Sequence, residues 1–264
     1  MKGIILAAGT GSRLWPLTEA VTKHLLPVYN KPMIHYPMQS LKTAGIKEVM
    51  VIVGGELSWQ VVGYLKEGRD YGMEISYRYQ SSPLGIADAL RLCEGFAGED
   101  NVMVILGDNI FEDTFEKDVA EFKSGAKIFI KKVKNPNRFG VPELVKERVV
   151  GVEEKPKTPK SDYAVTGCYL YDNKVFEIIK GLKKSARGEY EISDISQYYA
   201  DKKKLKYRKL EGTWSDAGTF ASLRVASEMI RLEEEKLIEE RRGESFPCNC
   251  KEGSKRIMKA MNEK

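Results

Sequence analysis

A glycine-rich turn follows the first apolar run of the chain and is accompanied by two cations. The stretch LAAGTGSRLWPLTEAVTKHLLP contains Gly9, Gly11, Ser12, Arg13 and Lys23. Glycines let backbone N–H groups converge on anionic oxygens, and phosphates bind beyond the carboxyl ends of strands in α/β sheets. Together with the two cations, this turn indicates a triphosphate site. The alternative is a plain βα turn with solvated cations.

Two common nucleotide motifs fail at this turn. The phosphate loop G-x-x-x-x-G-K-[ST] has no match in the chain, and the dinucleotide fingerprint G-x-G-x-x-G fails at its last position, where Leu14 stands. The second failure argues against a nicotinamide-dependent oxidoreductase.

Two aspartates have the chemistry of metal ligands. Asp108 follows an apolar run in LGDN, and Asp216 lies in WSDAGT. An aspartate at the carboxyl end of a strand reaches the ligand crevice, and Mg²⁺ commonly takes one or two carboxylates together with phosphate oxygens. The alternatives are a turn-capping role for Asp108 and an N-cap role for Asp216 at a helix starting near Gly218.

The elements that must position these residues alternate between strands and helices. Apolar runs predict strands at 3–8, 48–55, 74–80, 101–109 and 126–133, with helices predicted at 32–44, 57–67, 85–94 and 114–123. Pro32 is expected in the first turn of the first helix, and Pro37 is expected to kink that helix. This alternation predicts a parallel sheet with helices on both faces.

The pattern changes in the second half of the chain. Shorter runs at 141–146, 149–154 and 163–171 predict antiparallel strands, followed by helices at 173–181 and 191–200, a strand at 204–210 and a long helix at 218–242. The predicted fold is therefore α/β: a Rossmann-like, mostly parallel sheet flanked by helices, with antiparallel strands inserted in the second half and C-terminal helices.

Composition limits the cellular context and the partners. The 264 residues carry a formal net charge of +5, which suits an anionic substrate but is too small to indicate nucleic acid. No run approaches the roughly 18 apolar residues of a membrane span, and the N-terminus does not resemble a signal peptide. We therefore expect a cytoplasmic protein that binds neither nucleic acid nor membrane. Cys248 and Cys250 are expected to be free thiols.

Motifs along the chain resemble those of the sugar-nucleotide nucleotidyltransferases. LAAGTGSRLWPLT followed by KHLLPV resembles their G-x-G-[ST]-R-L…K signature. Seven further stretches resemble the glucose-1-phosphate thymidylyltransferase branch and occur in its order over residues 1–232: QSSPLGIADAL, LGDNIF, NRFGV, VEEKP, YAVTGCYLYD, ARGEYEISD and WSDAGT.

The resemblance implies a direct nucleotidyl transfer. In such a reaction glucose 1-phosphate attacks the α-phosphorus of dTTP, with Mg²⁺ as cofactor, and dTDP-glucose and pyrophosphate form. A UTP-dependent enzyme, or one using another sugar 1-phosphate, is the nearest alternative. A non-catalytic nucleotide-sugar-binding regulator is less favoured because Arg13, Lys23, Asp108 and Asp216 are all present.

The resemblance also assigns roles to individual residues. Gln80 carries the amide donor and acceptor that a thymine or uracil edge requires. The implied catalytic residues are Arg13, Lys23 and Asp108, and the implied metal ligands are Asp108 and Asp216. The implied nucleotide-binding residues are Leu6, Ala8, Gly9, Gly11, Ser12, Gln80, Pro83 and Gly85. The implied sugar-phosphate-binding residues are Asn109, Phe139, Gly140, Glu154, Lys155, Val165, Thr166 and Arg187.

Three positions depart from the thymidylyl branch. Leu84 stands where an acidic residue is usual, Phe139 where tyrosine is common, and His24 where a glutamine accompanies the lysine. The first two leave the choice between dTTP and UTP open. His24 is expected to be an isolated polar loop residue and not a general base.

The resemblance fades after about residue 232. We predict a nucleotidyltransferase domain over 1–242, with a nucleotide-binding half at 1–125 and a sugar-phosphate-binding half at 126–217, and a C-terminal tail at 243–264. A homo-oligomer is expected, with a monomer as the open alternative.

Overall fold

The computed structural model describes the backbone of residues 1–242 and the side chains of residues 1–238. Residues Met1–Ser227 form one compact unit, and a second unit begins at Glu228. The predicted tail at 243–264, with Cys248 and Cys250, lies outside the described residues. The predicted domain boundary stays a prediction.

The described chain contains short and long strands and helices in alternation. Its strands are β1 (Lys2–Ala7), β2 (Pro27–Val28), β3 (Lys31–Pro32), β4 (Glu48–Gly54), β5 (Glu74–Gln80), β6 (Val102–Leu106), β7 (Ile110–Phe111), β8 (Ala126–Lys132), β9 (Gly140–Val145), β10 (Arg148–Glu154), β11 (Tyr163–Tyr171), β12 (Leu205–Lys209) and β13 (Trp214–Ser215). Its α-helices are α1 (His35–Thr43), α2 (Ser58–Leu65), α3 (Ile86–Arg91), α4 (Glu94–Ala97), α5 (Glu116–Glu121), α6 (Val175–Lys180), α7 (Ile192–Asp201) and α8 (Phe220–Arg242).

One seven-stranded sheet organises the unit Met1–Ser227. Its strand order is β12-β8-β11-β6-β1-β4-β5. The pairs β1–β4, β1–β6, β4–β5 and β12–β8 are parallel, and β11 is antiparallel to both of its neighbours. The predicted α/β fold with a mostly parallel sheet and inserted antiparallel strands is confirmed.

The core lies on both faces of this sheet, because successive side chains of a strand point to opposite faces. Ile4 and Leu6 of β1 belong to one buried cluster, and Ile5 and Ala7 belong to the other. A strand covered on both faces requires apolar residues at every position. This is the physical reason for the unbroken apolar run at the start of the chain.

Two local predictions are wrong. The first helix begins at His35, so Pro32 lies in β3 and not in a helical turn. Pro37 then falls in the first turn of α1, where no backbone N–H has a helical partner, and it gives no reason for a kink. The single helix predicted at 85–94 is divided into α3 and α4.

None of the helices among the described residues combines the length and the apolar character that crossing a membrane requires.

Candidate active site

A cavity of about 390 Å³ opens at the carboxyl ends of β1, β5 and β6. Sixteen of the twenty residues assigned from the sequence line it. They are Leu6, Ala8, Gly9, Arg13, Lys23, Gln80, Pro83, Gly85, Asp108, Asn109, Phe139, Gly140, Glu154, Lys155, Val165 and Asp216. The fold therefore brings the first turn, both aspartates and the predicted sugar side into one space.

Lys23 and Asp108 form an ion pair in the cavity wall. Lys23 Nζ lies 2.6 Å from Asp108 Oδ2, and both side chains are largely buried. Burial raises the pKa of Asp108, but the adjacent Lys23 ammonium, together with His24 and the hydrogen bond from Asn109, outweighs burial and holds that pKa below its ordinary value. Asp108 is therefore ionised near neutral pH.

Asn109 fixes the second oxygen of Asp108. Its Nδ2 donates to Asp108 Oδ1 over 2.9 Å, while its own Oδ1 accepts from the Gly167 N–H at 3.0 Å and from Trp214 Nε1 at 2.7 Å. With 2 % of its surface exposed, Asn109 links β6 to β11 and β13. The contacts give this residue a role in positioning Asp108, in addition to its place in the cavity wall.

Asp216 is not the cap of the following helix. The hydroxyl of Thr219 accepts from the Ser222 N–H at 3.2 Å, which is the N-cap pattern for α8. Asp216 instead lies in the cavity wall, 3.6 Å from Arg138 Nη2. Its carboxylate is free of the capping role that was the main alternative for it.

Gly218 passes close to the charged groups of the first half of the chain. A methyl group placed on its Cα would lie 3.3 Å from Arg13 Nη2 and 3.5 Å from Asp108 Oδ2. The WSDAGT segment therefore packs directly against Arg13 and against Asp108, which follows β6. A side chain at position 218 would crowd both groups.

The predicted sugar side is built from the antiparallel pair β9–β10 and from β11. The Lys155 N–H donates to the Phe139 carbonyl over 2.9 Å, and Lys155 has φ 46°, a conformation that is strained for a residue other than glycine. Burial raises the pKa of Glu154, and the nearby Lys155 and Arg187 only partly offset this effect. The Glu154 carboxylate and the Lys155 ammonium thus both line the cavity, at the end of β10 where the backbone is strained.

Four assigned residues do not line the cavity: Gly11, Ser12, Thr166 and Arg187. Thr166 is fully buried and donates to the Phe129 carbonyl over 2.9 Å. Arg187 pairs with Glu191, with Nη2 at 2.7 Å from its carboxylate, and lies 3.5 Å from Glu154. This guanidinium is therefore held by carboxylates beside the cavity.

Several cavity residues were not selected from the sequence. Arg138 lies within NRFGV and Trp214 within WSDAGT, so the motifs contained them without marking them. Phe139 packs edge-on against Trp214, with ring centroids 5.2 Å apart, and Arg138 lies over the Phe139 ring. The other such residues are Ile86, Ala89, Leu106, Gly167, Tyr169, Glu189 and Ile192.

A mostly parallel sheet with a charged cavity at the carboxyl ends of its strands is typical of nucleotide-binding α/β proteins, and a family comparison agrees. Residues 2–233 match the profile of the nucleotidyl transferase family, and the chain belongs to that family. The resemblance stated from the motifs is thereby confirmed.

Individual relatives narrow the comparison. The chain is 48% identical over 238 residues to a glucose-1-phosphate thymidylyltransferase of Neisseria meningitidis, a match that covers 88% of this chain and 83% of the relative. It is 46% identical over 237 residues to one of Mycolicibacterium smegmatis, covering 88% of this chain and 82% of the relative.

Solved structures show the same fold. A Bacillus anthracis protein provisionally assigned as a glucose-1-phosphate thymidylyltransferase, crystallised with sucrose, has a TM-score of 0.84 and 50% identity. That match covers 88% of this chain and 95% of the other. A UDP-glucose pyrophosphorylase complexed with UDP-glucose has a TM-score of 0.76 and 23% identity, covering 88% of this chain and 98% of that one. This second likeness concerns the fold alone.

Proposed function

We propose that the chain transfers a thymidylyl group from dTTP to glucose 1-phosphate, forming dTDP-glucose and releasing pyrophosphate. The observation that carries the proposal is the single cavity in which the charged groups of the first turn and the two aspartates face Glu154 and Lys155. The names of the relatives at 46–48% identity support this choice of substrates.

The reaction requires no general base on the protein. The second pKa of a phosphate monoester is about 6, so the sugar phosphate is already an anionic nucleophile near neutral pH. One of its oxygens attacks the α-phosphorus in line, and the bond from that phosphorus to the pyrophosphate oxygen breaks. The barrier lies in bringing two anions together and stabilising the leaving group, which calls for positioning and charge neutralisation.

Four cations in or beside the cavity support this mechanism. Arg13 forms no ion pair with any described residue, so its guanidinium is available to the triphosphate. Lys23 holds Asp108, and it also lies beside the first turn, since a methyl group on Gly9 would be 3.1 Å from its Nζ. On the predicted sugar side, Lys155 in the cavity wall and Arg187 beside the cavity would meet the sugar phosphate, and Glu154 would accept hydrogen bonds from sugar hydroxyls.

The donor set fits Mg²⁺. Among the described residues no group of three or more His, Cys, Asp or Glu side chains could enclose a metal ion. Asp108 and Asp216 both line the cavity, and two carboxylates completed by phosphate oxygens and water are a usual Mg²⁺ site. When bound there, the ion would neutralise charge on the triphosphate.

A substrate panel tests this proposal. Pyrophosphate release would be followed with dTTP, UTP, CTP, ATP and GTP, each combined with glucose 1-phosphate, galactose 1-phosphate and N-acetylglucosamine 1-phosphate in the presence of Mg²⁺. We expect dTTP with glucose 1-phosphate to give the highest kcat/KM. A clear preference for UTP would select the alternative nucleotide, and no release with any pair would favour a non-catalytic binder.

A further inference from the structure

The base side of the cavity contains a glutamine whose amide is already held on one side. Gln80 is the last residue of β5 and lines the cavity, with 8% of its surface exposed. Its Nε2 donates to Asp88 Oδ2 over 2.9 Å and lies 3.5 Å from the Gly85 carbonyl. No described residue donates to its Oε1. The amide nitrogen is therefore engaged by the protein, and the carbonyl oxygen is available to a ligand.

Asp88 is itself held from its other side. It lies in α3 with 5% of its surface exposed, and it does not line the cavity. Arg91, one helical turn further on, donates to Asp88 Oδ1 from Nη2 at 2.8 Å and from Nε at 3.3 Å. Asp88 thus accepts from Arg91 with one oxygen and from Gln80 with the other.

This arrangement decides which way the Gln80 amide is turned. An ionised carboxylate has only acceptors, and a guanidinium has only donors. The atom of Gln80 that faces Asp88 must therefore be the donor Nε2, and rotation of the amide by half a turn would place Oε1 against a carboxylate oxygen. Because such a buried acceptor–acceptor contact is unfavourable, one orientation is strongly preferred.

We propose that Asp88 is a positioning residue that selects the nucleobase: it holds Gln80 so that a hydrogen-bond acceptor faces ring position 3 of a pyrimidine. The inference rests on the proposed function in that it takes a nucleoside triphosphate as the ligand and the Gln80 side of the cavity as the base site. Asp88, which lies outside the cavity wall, is then a second determinant of substrate choice beside Gln80.

The chemistry of pyrimidines makes this orientation selective. Thymine and uracil carry an N–H at position 3, which donates to Gln80 Oε1. Cytosine carries an unprotonated acceptor nitrogen at the same position, which would face that oxygen without a proton between them. The rings have nearly the same size and shape, so packing alone discriminates weakly, whereas a fixed hydrogen-bonding group discriminates strongly. A freely turning glutamine would accept either base.

The Asp88→Asn substitution tests the inference because its expected effect is a reversal. Arg91 has only donors, so it continues to donate to the Oδ1 of the new asparagine. The asparagine Nδ2 then takes the place of Asp88 Oδ2 and faces Gln80. Gln80 must turn to accept with Oε1, which places its Nε2 toward the cavity. The site then offers a donor to ring position 3, which suits cytosine and opposes thymine.

The measurement is calorimetric binding of dTTP and dCTP in the presence of Mg²⁺. The two nucleotides share deoxyribose and triphosphate, so their affinity ratio isolates the base. We expect the parent chain to prefer dTTP by about tenfold or more, and Asp88→Asn to lower that ratio by about tenfold or more. UTP and CTP repeat the comparison with ribose.

Arg91→Met is the matched control. It removes the other partner of Asp88 but leaves an acceptor facing Gln80, so we expect the parent's affinity ratio. A ratio that falls equally in Arg91→Met and Asp88→Asn would overturn the inference, because the effect would then follow from disturbing α3.

If Asp88→Asn does not fold, as judged by circular dichroism, Asp88→Ala replaces it. In Asp88→Ala the ratio of the affinities for dTTP and dCTP should approach one, and a ratio equal to that of the parent chain would overturn the inference.

The outcomes separate this inference from the proposed function. Equal binding of dTTP and dCTP by the parent chain, no binding of dTTP, or a folded Asp88→Asn variant with the parent's ratio each reject the inference. If the binding ratio follows Asp88 as expected, while dTTP and glucose 1-phosphate release no pyrophosphate, then the proposed function fails and the role of Asp88 stands.

Discussion

The two cations of the first turn have different environments. Lys23 is paired with Asp108 at 2.6 Å and is largely buried, whereas Arg13 is exposed and forms no ion pair within the described residues. A cation already paired with a carboxylate contributes less charge to a ligand than an unpaired one. Under the proposed function, Arg13 is therefore the cation expected to stabilise the charge that develops on the leaving pyrophosphate.

Replacing Arg13 by alanine should lower kcat by about two orders of magnitude or more, because a group that stabilises the transition state is lost. Initial rates of pyrophosphate release at saturating substrate measure the effect. Arg69→Ala is the control, since Arg69 is 87% exposed and pairs only with Glu67 among the described residues. An unchanged kcat in Arg13→Ala would remove this residue from the mechanism.

Asp108 should affect activity and metal dependence together. We expect Asp108→Asn to lower activity and to shift the Mg²⁺ titration to higher concentrations, because one of two charged ligands becomes neutral. Asp162→Asn, at a side chain that is 74% exposed, serves as the control. If the titration of Asp108→Asn coincided with that of the parent chain, Asp108 would not be a metal ligand.

Among the secondary-structure elements, the loop between β5 and α3, on the proposed base side of the cavity, is held by close backbone contacts. Gly85 has φ +105°, and a Cβ at this position would lie 2.5 Å from the Tyr190 carbonyl oxygen. The Tyr190 N–H donates to the Leu84 carbonyl over 2.8 Å, and the Ala87 N–H donates to the Tyr190 carbonyl over 3.2 Å. The loop is thus fastened to the segment before α7, and only glycine fits between them.

Gly85→Ala should raise the KM for the nucleoside triphosphate by about tenfold or more, since the loop must move away from its partner to accommodate the methyl group. Gly72→Ala is a matched control, because Gly72 also has a positive φ, +68°, but nothing lies within 4 Å of its would-be Cβ. Steady-state kinetics on both variants measure the difference. Equal KM values in the two variants would show that the close approach at Gly85 has no bearing on binding.

For the molecule as a whole, the buried His24 makes the free energy of unfolding depend on pH. It is buried, and the pKa of its imidazole is lowered to about 3 by burial and by the neighbouring Lys23, which outweigh Asp108. The unfolded chain binds a proton at His24 below about pH 6.5, whereas the folded chain binds it only near pH 3. Lowering the pH within this window therefore favours the unfolded state.

We expect the free energy of unfolding to fall between pH 7 and pH 5 by about 2 kcal/mol more in the parent chain than in His24→Gln. Urea denaturation at a series of pH values measures the two curves. Between pH 7 and pH 8 the difference between them should stay nearly constant, which provides an internal control. Parallel curves down to pH 5 would contradict a buried neutral histidine.

The sequence predicted most of the sheet because local patterns are sufficient for it. The run at 3–8, which supplies most of β1, has no polar side chain, so it specifies a strand covered on both faces wherever it lies. The exact start of α1 was missed, since Pro32 is compatible with a first helical turn and with a short strand alike. A local pattern does not distinguish those two outcomes.

The site was predictable where a motif places its residue at the end of a strand. Asp108 was assigned in this way, because it follows a strand whose carboxyl end faces the crevice, whereas Gln80, the last residue of β5, was assigned from its amide chemistry and the resemblance. Arg138 and Trp214 were missed although their motifs were identified, since nothing local shows which side chains of a loop turn inward. Thr166 was assigned to the sugar side, yet its hydroxyl is used by the Phe129 carbonyl.

By itself, the sequence determined most of the strands and the residue types expected to meet a phosphate, because both depend on short-range pattern and on backbone chemistry. Tertiary structure alone decided which groups are partners. Lys23 and Asp108 are 85 positions apart, and Asn109 and Trp214 are 105 positions apart. Such pairings, like the orientation of Gln80 by a residue behind the cavity wall, arise only when the strands close into a sheet and bring distant loops to one edge.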